Sequence, residues 1–121
     1  MTMSDVTVWL NPRCSKCQGA ERLLAEHGVE AHKIFYLDTP PSRREISRVV
    51  DLLGGDPRSL LRTGEKEYQG LEHADRDILL DALATHPQLI ERPVVLVRDA
   101  ERGARAVVAR PPERLLELLR T

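Results

Sequence analysis

The sequence predicts an α/β domain built on a mixed four-stranded sheet, in the order βαβ…ββα with a helical insertion between the halves. Three observations predict it. The first third alternates a strand pattern, a helix pattern and a second strand pattern. The middle third carries helix periods only. The last third turns to two strand patterns around a turn signal and ends on an apolar helix.

Residues 6–10 (VTVWL) are short, rich in β-formers and bounded by Asn11-Pro12, which reads as a buried strand. Residues 15–27 follow with Ala20, Leu23 and Leu24 on one helical face and Gly28 as the stop. Residues 31–36 make the second strand, so this βαβ unit pairs its strands in parallel through a right-handed crossover. Thr39-Pro40-Pro41 is a rigid break. Ser42 and Glu45 have the spacing of a capping box, and the helix behind them carries Ile46, Val49, Val50, Leu52 and Leu53 up to Gly54-Gly55. Residues 56–62 read as a short helix capped by Asp56 with Pro57 at its first position. Residues 64–71 read as loop, and residues 75–85 as an amphipathic helix built on Ile78, Leu79, Ala82 and Leu83. Two strands, 93–97 and 104–109, flank a hairpin turn at 99–103. Residues 111–119 close the chain as a helix that starts on two prolines and carries Leu115, Leu116, Leu118 and Leu119. This order is the thioredoxin-like plan, and the insertion at about 42–86 exceeds what the minimal fold needs. All of residues 1–121 read as one such domain.

The bulk composition excludes several functions. A net charge of −1 supplies no global field to hold nucleic acid or an anionic membrane, so any anion must be bound locally. No apolar run approaches the roughly 20 residues of a membrane span. Met1-Thr2-Met3-Ser4-Asp5 shows no basic or apolar leader region, and a cytoplasmic location is expected. In that compartment a cysteine pair is more often catalytic or metal-binding than a structural disulfide. The basic residues are 15 Arg against 3 Lys. Codon bias accounts for such a total, but guanidinium forks also suit tetrahedral oxyanions better than ammonium does.

Cys14-Ser15-Lys16-Cys17 follows the first strand and opens the first helix. A helix start presents unpaired backbone N–H groups and the positive end of the macrodipole. Both favour a thiolate, so the Cys14 pKa is expected below the free value of about 8.5, with Arg13 and Lys16 acting in the same direction. The same N–H groups can cradle an incoming oxyanion. A zinc site would need two further ligands; there is no third cysteine, and His27, His32, His73 and His86 show no paired spacing. Redox or nucleophilic thiol chemistry and an inert cysteine pair are the readings that stay open.

Three arginines occupy element ends, where side chains can converge on a cleft. Arg62 follows Leu60-Leu61, Arg92 precedes Pro93 at a strand start, and Arg110 precedes Pro111-Pro112 where a strand hands over to a helix. In a thioredoxin-like sheet the loop before the third strand lies beside the nucleophile loop. Position alone leaves solvated surface arginines as the alternative.

These residues carry a resemblance. Asn11-Pro12-Arg13-Cys14-Ser15-Lys16 resembles the active-site loop of the glutaredoxin-coupled, ArsC-like arsenate reductases. The agreement continues through Tyr36-Leu37-x-Thr39-Pro40-Pro41, Leu60-Leu61-Arg62, His86-Pro87-x-Leu89-Ile90-x-Arg92-Pro93 and Arg110-Pro111-Pro112-Glu113, in order along nearly the whole chain. The resemblance implies that Cys14 attacks arsenate and that Arg62, Arg92 and Arg110, with Asn11 of the loop, bind it. It implies a thiolate–arsenic adduct resolved by a second thiol, and a role in arsenic detoxification. It implies a monomer with no bound cofactor, served by an external thiol reductant, either glutathione with glutaredoxin or thioredoxin. Some members carry a tuning histidine at or near the position of Leu10; here that task falls to the helix end and the arginines. Many members lack a cysteine at the position of Cys17. Its presence fits either an internal Cys14–Cys17 disulfide, as in thioredoxins, or a small buried residue on the inner face of the helix. Two rival functions share the motif: a thiol reductase of another substrate, and an Spx-like regulator that binds RNA polymerase and uses the pair as a redox switch. The retained loop and the three arginines favour the enzyme.

Overall fold

Side-chain alternation sets the first strand. In β1 (Ser4–Leu10), Val6, Val8 and Leu10 point to one face and are buried, while Trp9, also buried, points to the other. The computed structural model describes residues 4–119; Met1 to Met3, part of the expected leader-free start, lie outside the described residues. The chain divides into two compact units. One runs up to Phe35 and resumes at Arg92, and the other is Tyr36–Glu91.

The first unit holds the whole sheet. β1 pairs in parallel with β2 (His32–Phe35), from Thr7 opposite His32 to Leu10 opposite Phe35. It pairs antiparallel with β3 (Val94–Asp99), which places Val8 opposite Val95, and β3 pairs antiparallel with β4 (Gly103–Val108). The order β2-β1-β3-β4 is the mixed four-stranded sheet that the sequence predicts. Helix α1 (Ser15–Glu26) lays Cys17, Ala20 and Leu24 against it, and these join Val8, Val95 and Leu115 in one apolar cluster. The end of α1 is fixed by Gly28. At φ +68° it lets the N–H groups of Gly28 and Val29 reach back to the carbonyls of Ala25 and Leu24. At Gly19 the reason for glycine is space: a Cβ there would lie 3.0 Å from Pro112 Cγ. The closing segment is less regular than expected. A 3₁₀ turn at Pro112–Leu115 precedes one α-helical turn, α4 (Leu116–Leu119). Prolines at 111 and 112 remove two successive N–H donors from its start.

The second unit is helical. α2 (Arg43–Leu52) carries the expected capping box: Ser42 Oγ accepts from Glu45 N–H at 3.1 Å, and Glu45 Oε1 accepts from Ser42 N–H at 3.2 Å. Asp56 caps the next turn as expected, but that turn is a 3₁₀ helix ending at Leu60. Leu61 leaves it to bridge Ile90, and Arg62 N–H donates to Leu89 O at 2.7 Å. The segment expected as loop contains a short 3₁₀ turn, Lys66–Tyr68. α3 (Arg76–Thr85) buries Leu79, Leu80 and Leu83, whereas Ile78, expected in the core, is 49% exposed. Three consecutive apolar residues leave the phase of a helical stripe ambiguous, and here it falls on Leu80. Among the described residues, no helix is long and apolar enough to cross a membrane.

Candidate active site

A tight turn delivers Cys14 to the start of α1. Asn11-Pro12-Arg13-Cys14 closes on itself, with Cys14 N–H donating to Asn11 O at 3.0 Å. Proline suits the second position of such a turn and asparagine the first, because the Asn11 side chain can bond the backbone two residues on. It does so: Asn11 Oδ1 accepts from Arg13 N–H at 3.0 Å. Gln18 reaches back and donates from Nε2 to Pro12 O at 3.0 Å, tying the loop to the first turn of the helix. Cys14 then occupies the N-cap with extended backbone, and its carbonyl accepts the first helical bond from Gln18 N–H.

The two sulfurs differ in exposure and in acidity. Cys14 is partly buried, whereas Cys17 is fully buried. Burial pushes the Cys14 thiol up, but the Cys17 N–H, the Cys17 thiol, the Arg92 guanidinium and the Lys16 N–H all act on the sulfur, and the net result is a pKa lowered to about 7. No capping bond of regular geometry closes at Cys14, so the backbone donors act at the looser geometry that sulfur accepts. At Cys17, burial dominates and pushes the thiol up to about 12. The Asn11 N–H, 3.4 Å from Cys17 Sγ, opposes that rise; the Cys14 sulfur adds to it, and the Arg92 charge opposes it.

Arg92 belongs to the same unit and to the same cluster of groups. Its peptide to Pro93 is cis, as is that of Arg110 to Pro111. Arg110 Nη1 donates to the Arg92 carbonyl at 3.1 Å, so the two arginines are fixed to one another through the backbone. Five sequence candidates thus come together in this unit: Asn11, Cys14, Cys17, Arg92 and Arg110. Arg62 is a residue of the second unit. There it is half-buried, with Nε 3.6 Å from Glu65 and Nη1 3.6 Å from Glu91.

The sequence reading passed over Gln18, Glu65 and Glu91. Glu65 lies three residues after Arg62, so spacing was a usable signal for that pair, whereas Glu91 reaches Arg62 from far along the chain and no local spacing announces it. Gln18 lies four residues after Cys14, a spacing shared by many helical residues with no such task. Among the described residues, no group of three or more His, Cys, Asp or Glu side chains could hold a metal ion.

Comparison with known proteins places the chain in a family. The model of the ArsC family matches residues 9–118. A protein of Neisseria meningitidis named arsenate reductase is 38% identical over 97% of this chain and 100% of its own length. An Escherichia coli protein of the same name is 33% identical over 97% of this chain and 82% of its own. The solved structure of an arsenate reductase from Vibrio cholerae superposes with a TM-score of 0.82 at 37% identity, covering 93% of this chain and 96% of that one.

Proposed function

The chain belongs to the ArsC family, and from that membership we propose that it reduces arsenate to arsenite at the sulfur of Cys14. One observation carries the reading: a partly exposed cysteine at a helix start, with Arg92 beside it and its pKa lowered to about 7. Such a sulfur is nucleophilic at neutral pH, and the charge that activates it also attracts an oxyanion.

The steps follow from the chemistry of sulfur. The Cys14 thiolate attacks As(V); a sulfur–arsenic bond forms, and one arsenate oxygen leaves as water with protons from solvent. Arg92, with Arg110 anchored on its carbonyl, offsets the charge of the bound anion and of the transition state. Arg62 joins this set on the family resemblance. Asn11 contributes by holding the loop, since its side-chain oxygen is committed to Arg13 N–H. A second thiol then attacks the Cys14 sulfur. The new sulfur–sulfur bond forms as the sulfur–arsenic bond breaks, and the electron pair stays on arsenic, which departs as arsenite.

Cys17 is the second thiol in this reading. The Cys14 charge is one cause of its high pKa, and that charge is lost once the Cys14 sulfur is bonded to arsenic. The Asn11 N–H and the Arg92 charge, which favour the Cys17 thiolate, act on it when its own step arrives. The resulting Cys14–Cys17 disulfide is returned to dithiol by a thioredoxin-type donor; an external glutathione attacking in place of Cys17 would call on glutaredoxin. The test is arsenite production by the purified chain, assayed in parallel with a thioredoxin system and with glutathione plus glutaredoxin. Turnover with at least one donor is expected. Failure with both sinks the reading.

A further inference from the structure

We propose that the reduced Cys14–Cys17 pair is also a binding site for trivalent arsenic, which it holds as a cyclic dithiolate that blocks the nucleophile. Two cysteines fall short of the four ligands of a structural zinc, and the described residues hold no metal-binding group of three. Trivalent arsenic has a different demand. It is pyramidal, it prefers sulfur, and it can keep a hydroxide as its third ligand, so two thiols suffice.

The geometry suits that demand. Cys14 is the N-cap of α1 and Cys17 is three residues on, a spacing that puts both on one face of the helix. The Cys17 thiol acts on the Cys14 sulfur as a hydrogen-bond donor, which puts the two sulfurs within reach of one another. Each sulfur has a backbone donor that favours an electron-rich state: Asn11 N–H at 3.4 Å for Cys17, and the N–H groups of Lys16 and Cys17 for Cys14. Cys14 offers the partly exposed entry point, and Cys17 closes the ring from the buried side. The step is balanced without an oxidant or reductant. Arsenous acid, As(OH)₃, and two thiols give two arsenic–sulfur bonds, one retained hydroxide and two waters.

The proposal rests on the proposed function only for its choice of ion. It needs no turnover, and it goes beyond that function because it makes the reduced chain a trap for its own product. Arsenite released in one cycle competes with arsenate in the next, as soon as the disulfide has been reduced.

The experiment uses the reduced full chain and sodium arsenite. Native mass spectrometry counts bound arsenic, and the rate of iodoacetamide alkylation at Cys14 reports whether the nucleophile is blocked. One arsenic per chain is expected, with both cysteines protected, release by a small dithiol and no release by an equal concentration of monothiol. Because the second sulfur binds intramolecularly, Cys17→Ser and Cys17→Ala should each bind arsenite at least about 100-fold more weakly. Circular dichroism checks that these variants fold, and the oxidised wild-type chain, which needs no substitution, should bind none. Equal affinity in wild type and in a folded Cys17 variant would overturn the proposal, and so would arsenic bound with Cys14 still freely alkylated. The outcomes separate from those of the function assay. Capture without arsenate turnover refutes only the reductase reading, and turnover without capture refutes only this one.

Discussion

Burial works against a charged sulfur at Cys14, and four donors work for it. The balance lies at a pKa of about 7, so the reactive form is half populated near neutrality. The sign of the pH dependence follows. Thiolate accumulates as pH rises, so Cys14 alkylation should climb from about a tenth of its plateau at pH 6 to near the plateau above pH 8. A midpoint close to that of a free cysteine would show that the donors do not act. Arg92→Ala removes one of the donors and should shift the midpoint upward. It should also raise the arsenate KM by about tenfold or more, the scale of a lost charge-assisted hydrogen bond. An unchanged midpoint with a raised KM would leave Arg92 as an anion ligand alone. Cys14→Ser should abolish arsenite production while leaving the circular dichroism spectrum unchanged; undiminished turnover would place the chemistry at another atom.

Elements succeed here where local chemistry repeats a known rule. The S-x-x-E spacing at Ser42 and Glu45 was readable because both partners of a capping box lie within one turn, and both of its bonds are present. Ser42→Ala should cost about 1 kcal/mol in unfolding free energy, read from a denaturant midpoint, and should leave the alkylation rate of Cys14 unchanged. The start of α1 was readable for the same reason, since asparagine, proline and an N-cap stand in sequence order. Elements misread were those decided by distant partners. The short helix after Asp56 was expected to reach Arg62, but Leu61 and Arg62 pair instead with Ile90 and Leu89. Ile78 was assigned to the core face of α3 because its neighbours are equally apolar, and packing chose Leu80. No local pattern holds that information. The arginines show the same limit within the site. Their positions at element ends were visible, whereas the bond from Arg110 to the Arg92 carbonyl joins residues eighteen apart.

At the scale of the whole molecule, charge sets what the site must do alone. A net charge of −1 gives no long-range attraction for an oxyanion, so in the proposed function capture depends on donors within reach of the Cys14 sulfur. Those donors are guanidinium and backbone N–H groups, which read the size, charge and tetrahedral shape of an anion and not its central atom. Phosphate meets the same criteria as arsenate. It should therefore inhibit competitively, raising the arsenate KM and leaving kcat unchanged, and it should slow alkylation of Cys14 by occupying the space in front of the sulfur. Selection between the two anions then falls to the chemical step, because a sulfur–phosphorus adduct cannot accept the electron pair that arsenic takes. Inhibition that lowers kcat instead would place phosphate elsewhere on the molecule. Insensitivity to phosphate would mean that the site reads more than shape and charge, and that the donors identified around Cys14 are an incomplete set.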